Sequence, residues 1–214
     1  MRDIRLKNLL DSLVNGTLTI IYQVTKILRN PFIRVKGYLY SRWIGLSFSQ
    51  HRIYFKYPIN QIEGASYFTI GTGCCFGKYA VLTAWGKRKS QKFNPQVRIG
   101  NNCQFGDYLH LTCINEIIIR DGVLTGRWVT ITDNSHGNSS MTDLTLPPTE
   151  RSMISKGKVI IEQNVWIGDK TTILPGVCIG EGSIIAANSV VTRDVPPFCV
   201  AGGNPIRIIK QLSI

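Results

Sequence analysis

Large aliphatic residues recur at every sixth position in the C-terminal part of the chain. They are Ile161, Ile167, Ile173, Ile179, Ile185 and Val191. Small or β-branched residues follow four positions after each: Val165, Thr171, Val177, Ser183, Ser189 and Val195. A period of six fits neither an α-helix, with 3.6 residues per turn, nor a long alternating strand. It predicts short strands joined by corners, three to a triangular coil, with the aliphatic side chains stacked inside.

The same period occurs in two earlier runs. These are Ile70, Phe76 and Leu82, and then Ile99, Phe105, Leu111, Ile117, Val123 and Val129. The runs are out of phase, because Leu82 and Ile99 are 17 residues apart and Val129 and Ile161 are 32 apart. Extra chain must therefore leave the coils in each gap. We expect protruding loops near residues 85–96 and 133–158, and loops held by a rigid scaffold often carry function.

The first fifty residues have a different pattern. Leu6, Leu9, Leu10 and Leu13 have helical spacing, and a second such group lies between residues 20 and 28, with Lys and Arg in between. This predicts one or two amphipathic helices that end at Asn30-Pro31. The segment could cap the open end of the coils, or it could lie on a membrane surface. We divide the chain into a basic helical segment, 1–50, and a coiled domain, 51–214.

Charge and cysteine content indicate where in the cell the protein is expected. The formal net charge is +12, and residues 1–56 carry ten basic residues against Asp3 and Asp11. Such a surplus suits anionic partners. No run of about 20 apolar residues and no signal peptide is recognisable, and none of the six cysteines forms a Cys-x-x-Cys motif. We expect a cytoplasmic chain with reduced thiols, with its N-terminal segment in reach of the anionic inner face of the membrane.

The repeat and the C-terminal segment resemble a known family. The stretches 165–168 (Val-Trp-Ile-Gly) and 173–177 (Ile-Leu-Pro-Gly-Val) are similar to hexapeptide-repeat acyltransferases. Residues 187–197 and 201–205 resemble the galactoside, maltose and virginiamycin acetyltransferase branch, and the O-acetyltransferases of polysaccharide gene clusters. The resemblance implies a mainly β fold, a left-handed parallel β-helix, assembled as a homotrimer with active sites between subunits. At its C-terminal end we expect a short helix.

Three histidines are candidates for a catalytic base, since acyl transfer to a hydroxyl requires one. His51 precedes the repeat, and we interpret it as a surface or packing residue. His110 directly precedes an inward position, so its side chain should point outward. His136 lies where the long loop leaves the coils, and its polar neighbours could equally form an ordinary turn. The family places its catalytic histidine at this point of the loop, which makes His136 the general base by resemblance.

The partners of this base are less constrained. Asp133, Asn134 or a carbonyl group could orient the imidazole, and we take Asn134 as the second catalytic candidate. Asp107 is a candidate for contacting the acceptor across the cleft between subunits.

The family's acyl donor is acetyl-CoA, which by resemblance lies along the groove between two β-helices. The positions that match its track are Trp166, Asp169, Ala187, Thr192, Arg207 and Lys210, the last two as donors to the phosphates. Alternatively, these residues are ordinary corner positions and a solvated tail. Asp169 stands where the family often has a neutral residue, so its side chain should turn away from the ligand.

These observations together predict an acetyl-CoA-dependent O-acetyltransferase that acts on a hydroxyl of a sugar or polysaccharide precursor. Alternatives are N-acetylation of an amino sugar, acetylation of an antibiotic, or a non-catalytic trimeric scaffold. We expect no metal, because the three-histidine zinc site of a γ-type carbonic anhydrase is not available here. We also expect no nucleic-acid partner. The basic cluster 87–89 is not part of a recognised module and has no aromatic stacking platform around it.

Overall fold

The N-terminal region forms one long helix. The computed structural model describes residues 2–48, 52–138 and 140–212, so His51 lies outside the described residues. Helix α1 spans Arg2–Ser47, and contacts divide the chain into a unit of residues 1–39 and a unit of residues 40–214. The expected helix end at Asn30-Pro31 is wrong, because α1 continues through position 31. A proline removes only one donor from the helical ladder, and the turns on both sides remain helical.

Residues 52–202 wind around three parallel sheets, which the chain visits in the same order on each turn. The strands of the first sheet are β1 (Tyr54–Phe55), β4 (Cys75–Phe76), β9 (Gln104–Phe105), β12 (Leu124–Thr125), β17 (Trp166–Ile167), β20 (Ile184–Ile185) and β22 (Cys199–Gly202). Those of the second are β2 (Gln61–Glu63), β5 (Val81–Ala84), β10 (His110–Cys113), β13 (Thr130–Thr132), β18 (Thr172–Ile173) and β21 (Val190–Val191). Those of the third are β3 (Phe68–Ile70), β8 (Gln96–Ile99), β11 (Glu116–Ile119), β16 (Val159–Ile161) and β19 (Cys178–Ile179). The second unit is therefore a three-sided parallel β-helix.

The core is a set of columns along the β-helix axis. Both registers of the C-terminal repeat are buried, as the six-residue period predicts. Phe55, Phe76 and Phe105 stack in one column, with ring centroids 5.0 and 4.7 Å apart. Each coil buries the side chains of its neighbours, so the hydrophobic core is continuous from end to end.

One part of the predicted register is wrong. The partner of Ile99 in the next coil is Ile119, not Ile117, because two extra residues stand between Leu111 and the next inward position of that register. Ile117 pairs with Val97 instead. The residues remain buried, but the phase shifts at the turn 113–115, a detail that the six-residue count alone conceals.

The predicted C-terminal helix is also wrong. Residues Arg207–Gln211 form strand β23, which pairs antiparallel with β22 on the edge of the first sheet. Strand β22 would otherwise expose a row of unpaired backbone groups, and the β-branched residues Ile208 and Ile209 favour a strand in β23.

The end of α1 caps the first coil. Ser41 Oγ donates to the Ile53 carbonyl over 3.1 Å and accepts from the Phe55 amide over 2.9 Å. Phe48 stacks on Phe55 with centroids 5.5 Å apart. The cap interpretation therefore holds for the last turns of α1, which belong to the second unit.

In the described part of the first unit, large apolar side chains are exposed, among them Leu18 and Phe32 at 57% and 72%. No described helix has a stretch that is both long and apolar enough to cross a membrane.

Two excursions leave the coils between the second and third sheets. The first is a hairpin of β6 (Lys87–Arg88) and β7 (Gln91–Lys92). The second contains β14 (Ser135–His136), α2 (Met141–Leu144) and β15 (Met153–Ile154), with β14 and β15 antiparallel.

Candidate active site

His136 stands at the start of the second excursion, four residues after strand β13 ends. Its exposed side chain has two hydrogen-bonding neighbours. Nδ1 lies 3.1 Å from the Pro148 carbonyl oxygen, and Nε2 lies 3.3 Å from Nη1 of Arg88. Because a carbonyl oxygen only accepts and a guanidinium only donates, Nδ1 carries the proton and Nε2 presents its lone pair. Of the three partners that the sequence left open, the carbonyl is the one that contacts the ring.

Asp133 builds the scaffold beneath this histidine. Its side chain is fully buried and accepts from the backbone amides of Ile114 and Asn115 over 2.9 and 2.8 Å. The Cys113 thiol and the Asn134 amide also donate to it, both over 3.1 Å. The carboxylate thus stabilises the turn 113–115, where the two extra residues shift the register. It also links this turn to the start of the second excursion, which contains His136.

The Cys113 thiol is affected by the same cluster. Burial, together with the negative charge and hydrogen bond of Asp133, raises the pKa of the Cys113 thiol. Protonated and buried, this thiol is a packing group and a hydrogen-bond donor and not a nucleophile. All six cysteines are free thiols, as the sequence predicts.

The two excursions lock together beside His136. The side-chain amide of Gln91 accepts from the Met153 amide over 2.8 Å and donates to the Met153 carbonyl over 3.1 Å. Lys89 Nζ donates to the Thr149 carbonyl over 2.7 Å. Met153 is the cross-strand partner of His136, so these bonds fix the hairpin relative to the imidazole.

The side chain of Arg88 reaches from the first excursion to the second, a contact that sequence reasoning missed. Its guanidinium is 5.0 Å from the Trp85 ring centroid, and its Nη1 donates to Met153 Sδ over 2.9 Å as well as to His136. Arg88 and His136 are 48 positions apart in the sequence. The only signal that could have suggested the contact is that both excursions leave the coils between the same two sheets.

An open pocket of about 540 Å³ lies beside the two excursions. Its lining residues are Phe93, Asn94, Ile114, Asn115, Met153 and Ser155. Residues in or next to both excursions and residues of the turn 113–115, which Asp133 stabilises, therefore line the same pocket. Among the described residues, no cluster of three or more His, Cys, Asp or Glu side chains could hold a metal ion.

Two predicted site residues hold corners of the β-helix. Asp107 Oδ1 accepts from the Lys78 amide over 2.9 Å, and Asp169 Oδ1 accepts from the Arg127 amide over 2.8 Å. Each carboxylate ties its corner to the preceding coil, and the expectation that the side chain of Asp169 turns away from the ligand stays a prediction. Asn134 is buried and donates to the Thr112 carbonyl over 3.2 Å. A direct role of these three residues in catalysis or binding stays a prediction.

The remaining predicted donor-site residues are all exposed. Trp166 flanks the inward Ile167 and is 51% exposed, as its position in the repeat predicts. Ala187 and Thr192 lie at exposed corner positions of the last coils. Arg207 and Lys210 lie on the exposed edge strand β23, and neither has a carboxylate partner among the described residues. His110, on the outer face of β10, points outward as expected.

The fold and repeat define the class of this protein. Residues 158–193 match the family model of the bacterial transferase hexapeptide (six repeats), and these residues form the regular three-sheet coils of the β-helix. The chain therefore contains a hexapeptide-repeat domain.

Known proteins extend this likeness. The chain is 38% identical over 117 residues to WbbJ of Escherichia coli (strain K12), provisionally named a lipopolysaccharide biosynthesis O-acetyl transferase. It is 33% identical over 128 residues to the galactoside O-acetyltransferase of the same strain. These matches cover 53% and 56% of this chain, but only 59% and 57% of the relatives' lengths.

A solved structure supports the same class. The hexapeptide-repeat containing acetyltransferase VCA0836 of Vibrio cholerae O1 biovar eltor, complexed with acetyl-CoA, matches 73% of each chain with a TM-score of 0.50 and 26% identity. The resemblance to hexapeptide-repeat acetyltransferases that the sequence predicts is thus confirmed.

Proposed function

We propose that this protein is an acetyl-CoA-dependent O-acetyltransferase that acts on a hydroxyl group of a sugar or polysaccharide precursor. The observation that carries the proposal is the geometry of His136. Its ring is held by the Pro148 carbonyl in the tautomer that leaves Nε2 available as a proton acceptor. The relatives named above, two of which are named as O-acetyltransferases, support the same chemistry.

The reaction needs one base and no covalent enzyme intermediate. Nε2 of His136 takes the proton of the acceptor hydroxyl while the hydroxyl oxygen attacks the thioester carbonyl carbon. The carbon–sulfur bond then breaks, and the imidazolium returns the proton to the departing thiolate. The Pro148 carbonyl, as acceptor of the Nδ1 proton, stabilises the imidazolium that forms in between.

For the donor we propose the outer surface of the last coils. The exposed Trp166 would cover the thioester end, with Asp169, Ala187 and Thr192 along the track. Arg207 and Lys210 would meet the phosphates of coenzyme A, since both are exposed cations without carboxylate partners among the described residues. Asp107 would contact the acceptor through the carboxylate oxygen that Lys78 does not use.

We further propose a left-handed helix sense and a homotrimer. Exposed aromatic side chains on the coil surface, such as Trp128 at 48% and Trp166 at 51%, support an interface between copies. Light scattering should give three times the chain mass of 24.0 kDa. A stable monomer would contradict the trimer and with it the placement of the donor between subunits.

The experiment that tests the function compares two histidine variants. Wild type, His136→Ala and His110→Ala are expressed in a host that lacks the gene, and the O-acetyl content of its glycans is measured by mass spectrometry. Loss of the base should lower acetyl transfer at least about a hundredfold. The matched control, which removes the exposed His110, should leave acetylation unchanged. Full acetylation with His136→Ala would refute the assignment.

A binding measurement separates the enzyme from the scaffold alternative. Acetyl-CoA should raise the thermal midpoint of both histidine variants and the wild type, because binding to the folded state alone stabilises it. If millimolar acetyl-CoA shifts none of the three midpoints, the protein is a scaffold and not an acetyltransferase.

We place the protein in the cytoplasm, at the inner face of the membrane. Between Asp11 and Glu63 the sequence has seven basic and no acidic residues, and the described part of α1 exposes apolar side chains such as Ile21 and Leu18. Such a helix suits an anionic lipid surface. It should bind vesicles that contain phosphatidylglycerol, and 0.5 M salt should weaken that binding. Equal binding to neutral phosphatidylcholine vesicles, or none at low salt, would contradict this location.

A further inference from the structure

The hairpin beside His136 is strongly basic. Residues 87–92 contain Lys87, Arg88, Lys89 and Lys92 and no acidic residue. None of these four cations has a carboxylate partner among the described residues, whose salt bridges lie elsewhere. The hairpin therefore brings several uncompensated positive charges to the edge of the proposed active site.

The hairpin also opposes like charges. Lys87 and Lys92 are direct cross-strand partners in the antiparallel pair of β6 and β7. Like charges directly opposite each other destabilise a pair of strands. Both side chains are exposed, so their ammonium groups are available to an anion that would relieve the repulsion.

Arg88 occupies the position that the acceptor must take. Its guanidinium donates to Nε2 of His136, the lone pair to which the proposed mechanism brings the acceptor hydroxyl. Arg88 must therefore move aside when the acceptor binds. Its remaining contacts, the Trp85 ring and the Met153 sulfur, are weak compared with a charged partner. After this movement the guanidinium lies next to the acceptor and has no protein anion to pair with.

The backbone of the hairpin nevertheless stays in place. The paired bonds of Gln91 to Met153 and the bond of Lys89 to Thr149 hold it against the second excursion. The backbone positions of Lys87, Arg88 and Lys92 are thus fixed relative to the base, an arrangement that suits recognition of an anion.

We infer that the acceptor bears a phosphate or diphosphate group near its reactive saccharide, and that the basic hairpin binds this group as Arg88 leaves Nε2. The inference rests on the proposed function and names the class of its acceptor. A phosphate fits better than a sugar carboxylate, because it offers more charge to several cations and a planar guanidinium can bind two of its oxygens. A soluble nucleotide sugar and a lipid diphosphate-linked saccharide share this chemistry.

The test uses inorganic pyrophosphate, which needs no knowledge of the sugar. Calorimetry compares the wild type, the hairpin double variant Lys87→Gln/Lys92→Gln, and a matched double variant, Lys56→Gln/Lys78→Gln, which removes two exposed lysines elsewhere. Saturating coenzyme A is present throughout to occupy the proposed donor site. The hairpin variant should bind pyrophosphate at least about tenfold more weakly than the other two proteins. Equal dissociation constants for the two double variants, or no binding by the wild type at about 10 mM, would overturn the inference.

Further binding measurements compare a carboxylate with a phosphate, and then a nucleotide sugar with a lipid diphosphate. Sodium glucuronate should bind the wild type at least about tenfold more weakly than pyrophosphate, and equal binding would overturn the phosphate assignment. UDP-glucose and vesicles that carry a polyprenyl diphosphate are then compared with both double variants. The probe whose binding depends on the hairpin lysines identifies the source, and dependence in neither case would count against the inference.

The outcome is separable from that of the proposed function. His136→Ala should bind pyrophosphate at least as tightly as the wild type does, because the imidazole does not contact the anion and its removal frees Arg88 from Nε2. If that variant still acetylates while the hairpin lysines control binding, the base assignment fails and the anion site stands. If it loses acetylation while the hairpin lysines leave binding unchanged, the base assignment stands and the acceptor class is wrong.

Discussion

Replacing Asp133 by alanine should destabilise the β-helix and the site together. The fully buried carboxylate satisfies two backbone amides at the turn 113–115, and it also accepts from Cys113 and Asn134. Alanine leaves these donors without their acceptor, and those of Cys113, Ile114 and Asn134 belong to buried residues. The turn would then lose the carboxylate that stabilises it. Because Asp133 is only three residues before His136, the position of the imidazole should change as well.

The magnitude follows from the number of bonds. Hydrogen bonds to a charged acceptor contribute about 1.5–3 kcal/mol each, so the two amide bonds alone amount to about 3–6 kcal/mol. Part of this offsets the cost of burying the carboxylate. Removing one member of a buried charged network typically costs about 3–5 kcal/mol, which is our estimate for Asp133→Ala. In a protein of this size the thermal midpoint should fall by about 6 °C or more.

Thermal and urea unfolding followed by circular dichroism measure this loss. Asp169→Ala serves as the matched control, because that exposed carboxylate also accepts one backbone amide, at 2.8 Å from Arg127. It should cost less than about 1 kcal/mol. Asp133→Asn should fall between the two, since it keeps the shape and one acceptor oxygen. A value for Asp133→Ala within experimental error of the Asp169→Ala control would refute the reasoning.

Three further predictions concern the core, the corners and the thiols. Phe76→Ala removes the middle ring of the aromatic column and should cost about 3–5 kcal/mol in urea unfolding, whereas the exposed Tyr54→Ala in the adjacent strand should cost under about 1 kcal/mol. A similar loss for both would contradict the stacked core. Gly126→Ala places its Cβ 2.7 Å from a backbone nitrogen of the next coil and should lower the thermal midpoint, while Gly16→Ala, with nothing within 4 Å, should leave it unchanged. Cys113 should resist iodoacetamide at pH 8 in the folded protein and react in guanidinium, because its raised pKa leaves little thiolate; mass spectrometry of the peptide shows whether it does. Equal labelling rates in the two states would disprove this.

The main features of the fold could be predicted because the repeat is local. An inward residue such as Ile173 needs only the same position in the adjacent coils, Ile131 and Val191, to be buried. The six-residue period encodes that requirement in the sequence itself. The same logic failed at Ile117, where two inserted residues shift the phase without breaking the apparent period.

The C-terminal end shows a different limit. From the sequence we expect a short C-terminal helix, yet Arg207 and Lys210 both lie in strand β23. A strand forms there because β22 offers an open edge, and a short segment takes the conformation that satisfies its neighbour's backbone groups. No local pattern in five residues records the presence of that edge.

The sequence by itself determined the coils, the inward registers except near Ile117, the places where the chain leaves the coils and, through the family resemblance, the candidacy of His136. Tertiary structure alone decided that Pro148 orients the imidazole, that Asp133 fixes the turn beneath it, and that Arg88 covers Nε2. The physical reason is the range of the interactions involved. Burial in a repeated coil depends on a periodic pattern that the chain carries along its length. Hydrogen bonds between two excursions depend on distances of a few ångströms between residues as far apart as 48 positions, and only the folded coils set those distances.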